Sequence, residues 1–167
     1  MLVLKIKSTK QIMNALLVSE TFDSFLTEEV VITTYNTFHI DGHMVKEFYT
    51  NEEIENMDNN LPEFSSWKDI RPVCFSLMKG KKTPVNFRFI LHASKEFISA
   101  IAADPSCEVN ENLIRSLVLN FRYENGSVSI VTGTSFTTFL MDKSVDHIWD
   151  SYLKKYLSDL QIDFEEL

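Results

Sequence analysis

The 167-residue chain has few residues that break or cross-link a fold, with only four glycines, four prolines and two cysteines. So little glycine and proline leaves no room for flexible linkers or low-complexity tracts. Cys74 and Cys107 form neither a C-x-x-C pair nor a metal-ligand spacing, which predicts two free thiols in a reducing cytoplasm. No apolar run approaches the roughly 18 residues of a membrane span, and residues 1–10 lack an apolar stretch of signal length. Secretion by a signal peptide and insertion into a bilayer are therefore not expected.

The remaining composition is that of a globular domain: 44% hydrophobic, 24% charged, mean hydropathy −0.08. Phenylalanine supplies 13 residues against five tyrosines and two tryptophans, which favours a packed core over a disordered chain. A chain of this length buries roughly 70% of the surface its unfolded form exposes, enough to dispense with a disulfide or a structural metal. One domain over residues 1–167 is expected.

Patterning predicts the order of elements. Residues 2–6 read as a strand, and Ser8-Thr9-Lys10-Gln11 has the pattern of a capping box. The helix that follows carries Ile12, Ala15, Leu16, Phe22, Phe25 and Leu26 at helical spacing up to Glu28. Residues 30–40 are β-branched and aromatic, and Asp41-Gly42 suggests a type I′ turn into a returning strand over 43–49. Residues 50–66 read as a mobile acidic loop with a short helical turn. Pro72 and Gly80 bracket a short helix over 73–79. A strand over 85–91 and a helix over 95–102 come next, and Gly133 suggests a bulge or bend later in the chain.

A second hairpin turns at Asn125-Gly126, with Leu117, Leu119, Phe121 and Tyr123 alternating onto one face. Last comes an amphipathic helix whose stripe includes Val145, Trp149, Leu153 and Leu157, with Asp142 or Ser144 as its cap. The order predicts an α+β fold: an antiparallel or mixed sheet of five or six strands with two β-hairpins, packed against helices.

Three segments also carry a resemblance: residues 33–42 (TTYNTFHIDG), Arg71-Pro72-Val73-Cys74-Phe75 with residues 79–84 (KGKKTP), and Arg122-Tyr123-Glu124-Asn125-Gly126. Over nearly its whole length the chain resembles a family of clostridial-type bacterial proteins of unknown function. That resemblance implies a bacterial, cytoplasmic, stand-alone domain and lends no chemistry.

No motif assembles a catalytic set. His39, Asp41 and His43 have the residue types of a facial-triad iron site, but a turn at Asp41-Gly42 would put the two imidazoles on opposite faces. Gly80-Lys81-Lys82-Thr83 lacks the first glycine of a P-loop and lies between a helix and a strand, the reverse of the P-loop order. Residues 132–136 lack the G-x-S-x-G elbow. Cys74 reads as a small core residue. No cofactor or metal is implied.

Charge segregation is what remains. Residues 41–65 hold seven acidic side chains against one lysine, whereas residues 66–92 hold six basic ones against Asp69 alone, inside a chain of net charge −8. Two functions follow from that layout. The first is a non-catalytic interaction or binding module that takes a protein partner or a second copy of itself. The second is a nucleic-acid- or phosphate-binding protein using a basic island over 68–88, with Arg71, Lys79, Lys81, Lys82 and Arg88 as its contacts.

Overall fold

The computed structural model describes residues 1–167. Its strands are β1 (Val3–Ile6), β2 (Leu26–Thr33), β3 (Thr37–Asp41), β4 (Ser65–Ser66), β5 (Asn86–His92), β6 (Ile114–Glu124), β7 (Ser127–Phe136) and β8 (Phe164–Glu166). Its helices are α1 (Thr9–Met13), continued by a π-helical turn over Asn14–Val18, then α2 (Asn51–Asn56), α3 (Trp67–Met78), α4 (Lys95–Ala102) and α5 (Ser144–Asp159). All strand pairs are antiparallel, in the order β3-β2-β5-β6-β7-β1-β8, with β4 on β2. The α+β class stands, but the sheet has eight strands rather than five or six. The additional strands β4 and β8 are two and three residues long, too short to show periodicity.

The second hairpin forms where the sequence places it. Asn125 and Gly126 take φ of 52° and 77°, the left-handed pair a type I′ turn requires. The first hairpin lies elsewhere. It turns at Thr34-Tyr35-Asn36, so Ile40 pairs with Val30 rather than with His43. This turn contains no glycine or proline, and the strand pair around it reads as one continuous β-rich run.

Gly42 has another task. Its N–H donates to the Glu28 carbonyl at 2.8 Å, and its carbonyl accepts from the Ser65 N–H at 2.7 Å. A Cβ there would lie 1.7 Å from the Thr27 carbonyl oxygen, so only glycine permits the approach. The chain leaves the edge of β2 at Gly42 and rejoins it at Ser65. The acidic stretch between is an excursion closed at its base by the bridge His43–Phe64.

Three further expectations are revised. The first helix ends at Val18, and Phe22 and Phe25 reach the core from the turn that follows; Phe22 meets Phe121 edge-on, with ring centroids 5.3 Å apart. Helix α3 starts at Trp67, six residues before the expected start, because Ser66 caps it and the buried Trp67 indole donates to the Leu16 carbonyl at 2.9 Å. Pro72 therefore sits inside the helix, where it removes the N–H that would bond the Lys68 carbonyl. Gly133 pairs in register with Val118, and the β6–β7 irregularity falls at Ile114/Ser116 instead.

One cluster of 32 buried residues forms the core between one face of the sheet and helices α1, α3, α4 and α5. Phe87, Phe89, Leu119, Phe121, Val128 and Ile130 project from the sheet into it. Helix α5 is fixed to β7 by Asp146 and Asp150, one helical turn apart, which accept the hydroxyls of Thr134 and Thr132. Cys74 is fully buried, and burial pushes its thiol up to about 12.

Gly42→Ala is expected to lower stability by about 3 kcal/mol or more, because backbone on both sides must move. Gly133→Ala, whose nearest neighbour would be the Val118 Cβ at 3.7 Å, is expected to change it by less than about 1 kcal/mol. Urea unfolding of the two variants checks the contrast.

Candidate functional site

The strand alternation that buries one set of side chains presents the other set on a face no helix covers. Register places His39, Val31, Arg88, Arg122, Ser129, Lys5 and Glu165 in a single row across seven strands. The neighbouring row runs through Glu29, Ile90, Asn120, Val131 and Val3. Val3, Val31, Ile90 and Val131 are half-buried and form a shallow apolar centre among the charges.

Glu29 accepts both its hydrogen bonds from Arg88 Nη2, at 3.0 and 2.9 Å, and lies 3.2 Å from His39 Nε2. Arg122 stands directly across from Arg88, a like-charge juxtaposition that disfavours the pair of strands. Neither Arg122 nor Lys5 has a carboxylate within 4.0 Å. The Nε of Arg88 and the Oδ1 of Asn120 are buried without partners. The face thus holds cationic and polar groups that the fold leaves unmatched.

At one end of β2 lies a cleft of about 460 Å³ beside Phe64. Two irregular strand positions flank it, at Thr27/Glu29 and at Ile114/Ser116. The Phe64 ring is held between His43 and His92, with ring centroids at 4.8 and 4.6 Å. His92 Nε2 pairs with Glu28, and His43 Nδ1 lies 2.5 Å from Asp41 Oδ1. Each imidazole therefore has its own carboxylate, and a phenyl ring separates them. His39 lies apart on Glu29, so the histidines singled out in the sequence do not converge.

The five predicted anion contacts fall in three places. Arg71 is largely buried, with 15% of its side chain exposed. Its Nε and Nη2 donate to the two oxygens of Asp23 at 2.8 and 2.9 Å, and Nη1 donates to the carbonyls of Leu17 and Val18. It closes the end of the π-helical turn, and the Asp23 carboxylate raises its affinity for its proton. Arg88 lies on the open face. Lys79, Lys81 and Lys82 come together in the loop between α3 and β5, beside Tyr35 of the β2–β3 turn. Arg122, Lys5 and Tyr35 were missed in the sequence because their positions are set by strand register or by a hairpin turn.

Hydrogen bonds from His43 hold Asp41 below the usual carboxylate range, and the same pairing raises His43 above 6.5. The folded-state contribution of His43 is complete below pH 6.5 and lost as pH rises through its raised value. That of Asp41 is complete above 3.8 and lost as pH falls through its lowered value. The pair is expected to be doubly charged at pH 5–6, as judged by a His43 ring-proton NMR titration with a midpoint above 6.5 that moves towards 6.5 in Asp41→Asn.

No helix is long and apolar enough to cross a membrane. No curated protein and no solved structure matches the chain. A family model does match, over residues 15–165, which take in the Phe64 cleft, the lysine loop and the open face apart from Val3 and Lys5 on β1. The chain belongs to that family, a family of unknown function designated DUF5721.

Proposed function

We propose that the protein is a non-catalytic interaction module that docks an acidic protein partner on the open face of its sheet. The observation that carries this reading is the row Lys5–Arg122–Arg88 beside the apolar centre of the uncovered face, with two of its three cations unpaired. An apolar centre with a charged surround is the anatomy of a protein interface, in which the centre excludes water and the charges select the partner.

Charge argues for a foreign partner over a second copy. A two-fold face-to-face dimer would set two copies of the same cationic row against each other.

Arg122→Glu is the test, since Arg122 is exposed and supports no contact in the core. The wild-type protein is expected to sediment as a monomer and to hold a partner whose affinity falls about tenfold or more in the variant. Hydrogen exchange of that complex is expected to show protection in β2, β5, β6 and β7. Protection confined to the helices or the Phe64 cleft would refute the reading. A dimer of the pure protein that Arg122→Glu dissociates would make a second copy the occupant.

A further inference from the structure

The lysine loop lies at the end of the molecule opposite the acids. Val85, just before β5, donates its N–H to the Thr33 carbonyl at 2.8 Å, which fixes the loop to the last residue of β2. The acidic excursion leaves and rejoins the sheet beside Thr27 and Glu28. Six residues of extended chain separate the two places, about 20 Å. That is more than twice the Debye length of about 8 Å at physiological ionic strength, so charges at the base of the excursion are screened from the lysines. None of Lys79, Lys81 and Lys82 has a carboxylate within 4.0 Å.

These lysines line a cavity of about 460 Å³ with Tyr35, Thr34 and Thr83. Gly80, at φ 138°, takes a backbone conformation open to glycine and leaves empty space around its Cα. Tyr35 is 86% exposed, and its ring is steadied by an edge-on contact with Phe38 at 5.8 Å. The Thr34 hydroxyl is buried without a hydrogen-bond partner. Leu77 and Val85 supply apolar wall. The C-terminal end of α3 points its negative dipole here, equivalent to about half a charge, which three ammonium groups outweigh.

We propose that this cavity binds a phosphate-bearing aromatic ligand, the nucleotide unit of a free nucleotide or of a nucleic-acid strand. The lysines neutralise the phosphate, Tyr35 stacks on the base, and the Thr83 hydroxyl supplies a hydrogen bond. Arg71 and Arg88 take no part, because each is committed to its own carboxylate. The site is independent of the open face, so either reading can fail alone.

The test is fluorescence titration at 20 and 150 mM salt with labelled ATP and a labelled twelve-residue oligothymidylate, and competition by inorganic phosphate. Wild-type protein is expected to bind at least one probe, more tightly at low salt, with phosphate competing weakly. For the oligonucleotide, Lys81→Gln/Lys82→Gln is expected to reduce the log–log salt slope by about 1.4. Tyr35→Ala is expected to weaken binding about tenfold while leaving that slope unchanged. A tighter oligonucleotide marks a strand as the ligand, and equal or tighter ATP marks a free nucleotide. Absence of binding at 20 mM salt would overturn the proposal, as would binding unaffected by the lysine and tyrosine substitutions. These side chains lie on exposed loops, and thermal unfolding of each variant at the wild-type temperature certifies its fold.

Discussion

One-sided burial of the sheet is the constraint on which the rest of the molecule depends. Successive residues of a strand point to opposite faces; in β5 and over residues 117–123 of β6 every second residue is a large apolar side chain, and β7 adds Val128 and Ile130 to the same face. All of them must face the same way to share one core, so a register slip by a single residue would expose the whole set. Helices α1, α3, α4 and α5 meet this demand on one side. The other side then receives whatever occupies the alternate positions, here small aliphatics and charges.

The placement of charge follows from the same sheet. Strand β2 acts as a spacer. At its start the backbone of Gly42 closes on Thr27 and launches the acidic excursion, and at its far end the β2–β3 turn meets the lysine loop. Opposite charges close in sequence are thereby held at opposite ends of the molecule. Between them, Arg88 and Arg122 are forced side by side by register. Only Arg88 receives a carboxylate, from Glu29. Groups left unmatched in this way lower folded-state stability, and a bound partner can supply what is missing.

Several elements were legible because their signal is local. The Asn125-Gly126 hairpin follows from turn chemistry, helix α5 from an apolar stripe at helical spacing, and α4 from its own pattern of residues. The failures have equally local causes. Thr34-Tyr35-Asn36 turns the chain without glycine or proline, and Asp41-Gly42, a better turn by composition, is used for close packing. Phe22 and Phe25 continue a helical spacing while reaching the core from a turn. Arg71 reads as part of a basic island, whereas Asp23, the residue that commits it to the interior, is remote in sequence.

Residue type and short-range period suffice for the class of fold, the burial of Cys74, the shared face of Leu117, Leu119 and Phe121, and the existence of acidic and basic stretches. Which charges stay free, which aromatic stands beside the lysines, and which histidine meets which carboxylate were decided only by tertiary structure. Those outcomes require segments tens of residues apart to meet. Such meetings are set by strand register and by one close backbone approach at Gly42, neither of which leaves a periodic trace along the chain.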